Sequence, residues 1–464
     1  MQGPDENAAR MRRVTESIVP LGSHPHDGAT RTSLAERMAF YSVPGVSIAV
    51  INEYHLEWAR GYGMRESGKS DPVTTESLFQ AGSVSKPVAT VMALQLVCSE
   101  QLDLDEDVNH SLRSWQIPAN GTWQPRVTIR HLLSHSGGLT VHGFPGYRRD
   151  GPIPSLTQVL QGECPANTPP IRVDTLPGTQ FRYSGGGTTV LQQLLIDRTG
   201  KSLPQVAREL VFEPLGMCHS TYEQPLPAVY WDQAVAGHRT GGGVVEGKWH
   251  VYPEMAAAGL WTTPTDLARL VMDIQAVRAG KPHTILSRDM VNDMLTPQIE
   301  SRGLGFALAG SGAHARFLHG GDDQGFTCRL VAYSECGCGA IVMINSDEGM
   351  PLLDEIFNAI AAEYAWPGYL PEEPTRVLIT ADVLDRYIGM YVFRLDFTLV
   401  VTRDGNNLAV QPIGQAPLIF APESEATFFS EVVDTTLTFT TTDAGAVTGV
   451  CFQQNGQEIT GKRL

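Results

Sequence analysis

The spacing of apolar and polar residues predicts most of the elements of this chain before any motif is considered. Val46-Ser47-Ile48-Ala49-Val50-Ile51, a polar turn at Asn52-Glu53 and the stretch 55–62 read as a β-hairpin. Ahead of it, residues 9–18 read as a short helix, 22–28 as a Gly/His/Pro-rich loop, and 33–41 as a second helix. From residue 83 to about 235 the pattern is mostly helical, broken by Pro/Gly-rich loops such as 165–170. Leu267, Leu270, Val271 and Ile274 recur at helical spacing within 255–280. Strand-like runs return at 304–309, 326–333 and 339–344, and 352–364 reads as a closing helix. Strands at both ends with helices between predict one sheet completed by distant parts of the chain.

A proline-punctuated stretch follows: Trp366-Pro367-Gly368-Tyr369-Leu370-Pro371-Glu372-Glu373-Pro374. Beyond it the chain alternates with period two. Phe397-Thr398-Leu399-Val400-Val401-Thr402 turns at Asp404-Gly405, and 435–442 turns at Asp443-Ala444-Gly445. The expected division is a first domain over 1–368, a linker over 369–374 and a small β-barrel over 375–464. A length of 464 residues accommodates two to three domains at ~150 residues each.

The formal net charge of −16 disfavours nucleic acid and anionic membrane surfaces as partners. No apolar run approaches a membrane span. The seven cysteines are scattered, which does not make a disulfide framework, and Cys336-Gly337-Cys338 reads as a β-turn. With no apolar segment near Met1, a cytoplasmic location is expected.

The most informative stretch is Gln80-Ala81-Gly82-Ser83-Val84-Ser85-Lys86. A serine three residues before a lysine at a helix start puts hydroxyl and ammonium on one face. A serine hydroxyl needs activation at neutral pH, and a neighbouring lysine can stabilise its alkoxide or, when desolvated, take its proton. Alone, S-x-x-K is a weak signal. Lysine is rare here, however, and none of Lys69, Lys201, Lys248, Lys281 and Lys462 follows a serine at that spacing.

Two further motifs come in order: Phe181-Arg182-Tyr183-Ser184-Gly185-Gly186-Gly187 and Leu318-His319-Gly320-Gly321. Together with S-x-x-K they resemble the serine β-lactamase and penicillin-binding protein superfamily. Within it they resemble most the class C β-lactamases and their relatives, the family VIII carboxylesterases and D-amino-acid-specific peptidases. The segments 128–139 and 258–268 agree, so the resemblance covers roughly 30–365. It implies an α+β fold: an antiparallel sheet flanked by helices, with an inserted helical subdomain and the site between. Tyr387-Ile388-Gly389-Met390-Tyr391 resembles the start of the lipocalin-like C-terminal domain of some relatives.

The resemblance implies acyl transfer through a covalent serine. Ser83 would be the nucleophile and Lys86 and Tyr183 a coupled proton-handling pair, with either as base. The backbone N–H groups of Ser83 and Asp322 would form the oxyanion hole. Gly320 and Gly321 would let a strand edge approach the acyl group. Two departures matter. Where penicillin-directed members have an Asn that donates to a substrate amide, this chain has Gly185, which removes that donor and opens space. Where many have Lys-Thr-Gly, it has His319, a substrate-side residue charged only partly at pH 7.

Other candidates yield to plainer readings. His131 and His135, at i and i+4, could ligate a metal, but no glutamate follows His131 and their segment is structural in the family; no metal or cofactor is expected. No G-x-S-x-G elbow marks an α/β-hydrolase. The runs 185–187 and 241–243 read as loops. Asp322-Asp323 reads equally as an amine-binding pair and as a solvated turn. The reading taken is a serine hydrolase of small esters or amides, with esters first. D-amino-acid amidase or aminopeptidase and acyltransferase are alternatives, and the non-enzyme rival is an acyl-binding sensor. An oligomer remains open.

Overall fold

The computed structural model describes every residue except 1–3, 22–30, 371–375, 395–396, 431–434, 443–444 and 455–456. The loop expected at 22–28, most of the expected linker and the tip of the turn at 443–445 therefore lie outside the described residues. The chain divides into two compact units, Met1–Ile18 with Arg31–Leu370 and Val19–Thr30 with Pro371–Leu464.

The first unit is built on a six-stranded antiparallel sheet. Its strands are β1 (Gly45–Asn52), β2 (His55–Gly63), β3 (Ala307–Ala309), β4 (Arg316–Asp323), β5 (Phe326–Tyr333) and β6 (Gly339–Ile344), in the order β2-β1-β6-β5-β4-β3. The β1–β6 ladder, Val46↔Ile344 through Ile51↔Gly339, joins the two ends of the unit. β1 is apolar apart from Ser47 and its terminal Asn52, because both its faces are covered. Ala49 and Ile51 enter one core; Val46, Ile48 and Val50 enter the other.

The helices needed here are α1 (Pro4–Glu16), α2 (Leu34–Phe40), α3 (Ser85–Cys98), α4 (Gly185–Thr199), α5 (Pro264–Arg278) and α6 (Gly349–Glu363). α5 lays Leu267, Leu270, Val271 and Ile274 on the inner face. α6 lays Leu352, Ile356, Phe357 and Ile360 on the outer face, with α1 and α2 beside it. Helix α3 is buried almost all round, Lys86 included. This is the packing expected of a helix enclosed by others rather than of a surface helix.

Two local expectations are corrected. The glycines 185–187 open α4 instead of forming a loop, because Ser184 caps them and neighbouring carbonyls take up their N–H groups. The segment 255–280 is not one helix: Met255–Ala258 ends at Gly259, Trp261–Thr262 pairs with Phe79–Gln80, and α5 starts at Pro264. The strand β4 lacks apolar alternation in its His-Gly-Gly-Asp-Asp half, where only the resemblance implied a strand edge. It forms because β5 supplies a full antiparallel partner, from Arg316↔Tyr333 to Asp323↔Phe326.

The second unit is a closed barrel of eight antiparallel strands in sequence order, from Gly389–Arg394 to Gln457–Arg463, sealed by Tyr391↔Arg463. Alternate residues Leu399/Val401, Leu408/Val410 and Leu437/Phe439 point into its core. Asp404 pairs with Asn407, so the first hairpin turns on Gly405 and Asn406.

Candidate active site

Ser83 lies in a single 3-10 turn, Gly82–Val84, that runs directly into α3. Gly82 has φ +51°, and a Cβ there would come within 2.5 Å of the Asp322 amide nitrogen. Only glycine satisfies both conditions. Ser85 fixes the turn from inside. Its hydroxyl donates to Gly82 O at 2.6 Å and accepts from Leu260 N–H at 3.0 Å. Lys86, 4% exposed, donates from Nζ to Ser83 Oγ at 2.9 Å and to Ala257 O at 2.7 Å.

Tyr183 stands at the mouth of α4. The next residue, Ser184, accepts from Gly187 N–H at 2.9 Å and donates to Thr140 O at 2.8 Å. The Gly185 and Gly186 amides donate to His142 O and Val141 O, each at 2.9 Å. The first-turn donors of α4 are thus satisfied by Ser184 and the loop at 140–142. That loop carries strain, since Val141, a β-branched residue, has φ +64°. His135 clamps the tyrosine from behind. Its Nδ1 accepts from Ser184 N–H at 3.2 Å, and its carbonyl accepts from Arg182 N–H at 2.8 Å. Around the Tyr183 ring stand His135 at 4.3 Å, His142 at 4.9 Å and His319 at 6.4 Å between centroids. Lys86 Nζ is 5.1 Å from the same ring centre.

β4 supplies the third wall. His319 Nδ1–H donates to Gly320 O at 2.6 Å. Removal from water, with the Lys86 charge nearby, pushes its imidazole down to about 3. His319, partly exposed to solvent, is thus biased towards its neutral form. The two glycines differ. A Cβ on Gly321 would lie 2.0 Å from Ala81 O and 2.9 Å from Ser83 N, whereas Gly320 has nothing nearer than Cys328 O at 3.9 Å. Only Gly321 is required by close approach. Ser83, Lys86, Tyr183, Gly185, His319, Gly320, Gly321 and Asp322 thus converge where α3, α4 and β4 meet. The space expected at Gly185 is absent: a Cβ there would meet His142 O and the Phe144 ring at 3.0 Å.

The model of the Beta-lactamase family matches residues 31–364. The chain belongs to the Beta-lactamase family. It is 27% identical over 255 residues to "Unguisins hydrolase ungD" of Aspergillus violaceofuscus, covering 51% of this chain and 43% of that protein. The chain thus spans less than half the length of that relative. It is 23% identical over 434 residues to "Penicillin-binding protein 4*" of Bacillus subtilis, covering 86% of this chain and 90% of that protein. Among solved structures, an octameric penicillin-binding protein homologue from Pyrococcus abyssi superposes with a TM-score of 0.60 at 21% identity, covering 92% of this chain and 98% of that chain.

In this Beta-lactamase family member, His131 and His135 have structural tasks. His131 Nδ1 accepts from Thr128 N–H at the start of Ile129–Leu133, and His135 holds the segment 182–184. Sequence reading missed His142, Phe144 and Tyr252. They sit in or beside irregular segments, and no spacing rule brings them to the site.

It also missed Glu254, fully buried next to the Met255–Ala258 turn that holds Lys86. Burial raises its pKa from 4.5 to about 7, against the pull of the Tyr147 hydroxyl. The folded state therefore holds this proton more tightly than the unfolded one. The associated stability is complete below about pH 4.5 and lost as pH rises through about 7. Glu254→Gln should remove that dependence and raise Tm at pH 8; the shift corresponds to about 3 kcal/mol at most. Thermal melts of both proteins at pH 5 and pH 8 check it, and equal Tm differences at the two pH values would contradict it.

Proposed function

We propose that the chain is a serine hydrolase that cleaves small esters or amides through an acyl-enzyme on Ser83, with esters preferred. The observation that carries this reading is the buried Lys86 ammonium donating to Ser83 Oγ at 2.9 Å in a turn pressed against β4. Ser83 Oγ attacks the carbonyl carbon while the Lys86–Tyr183 unit takes its proton. The carbonyl oxygen gathers negative charge facing the N–H groups of Ser83 and Asp322. Collapse of the tetrahedral intermediate breaks the bond to the leaving alcohol or amine, which receives the proton back. Water then repeats the sequence and frees the acid.

Substitution of Lys-Thr-Gly by His319-Gly320-Gly321 supports a place beside the family VIII carboxylesterases and D-aminopeptidases of the class C-like branch. The closed barrel is read as lipocalin-like, and all proposed chemistry lies before it, within the domain assigned to 1–368. The seven free thiols support a reducing, cytoplasmic location. Among the described residues no helix is long and apolar enough to cross a membrane. The octameric relative makes self-association worth measuring.

A fluorophosphonate probe followed by mass spectrometry tests the nucleophile. The adduct should sit on Ser83 and vanish in Ser83→Ala. A modified serine elsewhere that survives the substitution would refute the assignment. Turnover of p-nitrophenyl acetate separates a hydrolase from a sensor that only acylates.

The site also argues against efficient β-lactam hydrolysis. Position 185 carries no amide and its space is filled by Phe144 and His142 O, while His319, biased towards its neutral form, is a weak cation for a substrate carboxylate. Nitrocefin should be turned over with a lower kcat/KM than p-nitrophenyl butyrate. The reverse order, measured side by side, would contradict the reading of both residues.

A further inference from the structure

Beyond Asp322, on the side away from His319, β4 runs into a pocket of about 290 Å³. Its walls are carboxylate-rich: Asp322, Asp323 and Asp347 line it, with Arg239 as the positively charged side chain. Arg239 is already committed, 3.2 Å from Asp347. Asp347 also accepts from Gly325 N–H at 2.6 Å. That leaves Asp322, which is exposed, and Asp323, whose side chain is 94% removed from solvent at 6% exposure. Neither oxygen of Asp323 has a hydrogen bond of ordinary geometry, and the donors nearby, Gly82 N–H and the Tyr252 hydroxyl, leave it under-satisfied. A buried, under-satisfied carboxyl is costly, and its cost is relieved when a cation or donor arrives.

We propose that this pocket receives a protonated amine carried on the acyl part of the substrate, with Asp323 as its counter-ion. The assignment to the acyl part rests on the hydrolase reading above. There, the Asp322 N–H marks the carbonyl oxygen and Tyr183 with His319 occupies the leaving-group side. The Tyr252 hydroxyl, which accepts from Gln324 N–H at 3.0 Å, and the Asp322 carboxylate add further acceptors for an ammonium. The Phe144 ring also lines the pocket, and an aromatic ring can attract the same charge. Burial pushes the Asp323 carboxyl well above its ordinary range, against the pull of Lys86. An ammonium seated beside it would supply the missing charge. A divalent metal fits less well. It needs six or more oxygen ligands or ordered waters, and Asp347 is already held by Arg239.

The test uses the full chain carrying Ser83→Ala, which cannot acylate, titrated by calorimetry. Its ligands are D- or L-alaninamide and the matching lactamide, in which a hydroxyl replaces the ammonium. Alaninamide should bind about 10-fold or more tightly than lactamide, on the scale of charge-assisted hydrogen bonds. This comparison needs no change at the pocket, and Asp323→Asn in the same background should erase the difference. In the active chain, the ratio of kcat/KM for alanine methyl ester over lactate methyl ester should fall towards one in Asp323→Asn. Equal binding of the two amides overturns the proposal, as does a preference that survives Asp323→Asn. Binding of calcium that excludes alaninamide overturns it too, and assigns the pocket to a metal. Labelling of Ser83 by the fluorophosphonate is read separately. Labelling without amine preference sinks the pocket alone; amine preference without labelling sinks the hydrolase reading and leaves the amine pocket standing.

Discussion

Lys86→Ala and Tyr183→Phe are each expected to lower kcat by about 10²-fold or more, and the double variant to lose little beyond the worse single. The expectation follows from how Lys86 is held. Its ammonium is buried, donates to Ser83 Oγ and Ala257 O, and stands 5.1 Å from the centre of the Tyr183 ring. Removing the ammonium leaves the serine hydroxyl without its partner and Ala257 O without a donor. Removing the phenolic oxygen takes away the second station for the same proton. Because each change would break the same proposed relay, their costs are expected to overlap. Steady-state kinetics on a p-nitrophenyl ester, with Tm measured on each variant, check this. Fully additive losses in folded variants would mean that the two residues serve separate steps.

The legibility of this protein in its sequence follows the physics of each part. Segments that bury one face of a regular element announce themselves: α5 through Leu267, Leu270, Val271 and Ile274, and the β1–β2 hairpin through its apolar run and polar turn. Motifs whose spacing is local are equally readable, since three residues along a helix bring Ser83 and Lys86 together whatever else folds. β4 was legible only through its motif, because its chemistry displaced the apolar alternation that identifies a strand. The α4 start was hidden because three glycines have poor helix propensity and the stabilisation comes from outside, through Ser184 and the 140–142 carbonyls. Phe144 filling the space at Gly185 could not be foreseen either, because it depends on a loop turned by a strained Val141. The pocket residues Tyr252, Arg239 and Asp347 come from distant segments and meet only in the folded chain.

The glycine before Asp322 gives the sharpest test of the proposed oxyanion hole. Gly321→Ala places a methyl group 2.0 Å from Ala81 O and within 3.0 Å of both Ser83 N and Val84 N. All three neighbours are backbone, so no side chain can swing away to make room. Either β4 lifts from the serine turn or the turn itself shifts, and in both cases the Ser83 and Asp322 N–H groups cease to point at one oxygen. Loss of one such donor typically costs about 10²- to 10³-fold in kcat. The substitution should therefore cost at least that much, with a lowered Tm from the overpacking. Gly320→Ala is the structural control, because its Cβ would have only Cys328 O at 3.9 Å for company and Tm should hold. The comparison is read by melting both variants and measuring ester turnover in the folded fraction. If Gly321→Ala kept a kcat near that of the unaltered chain, β4 could not be forming the oxyanion hole with the Ser83 turn.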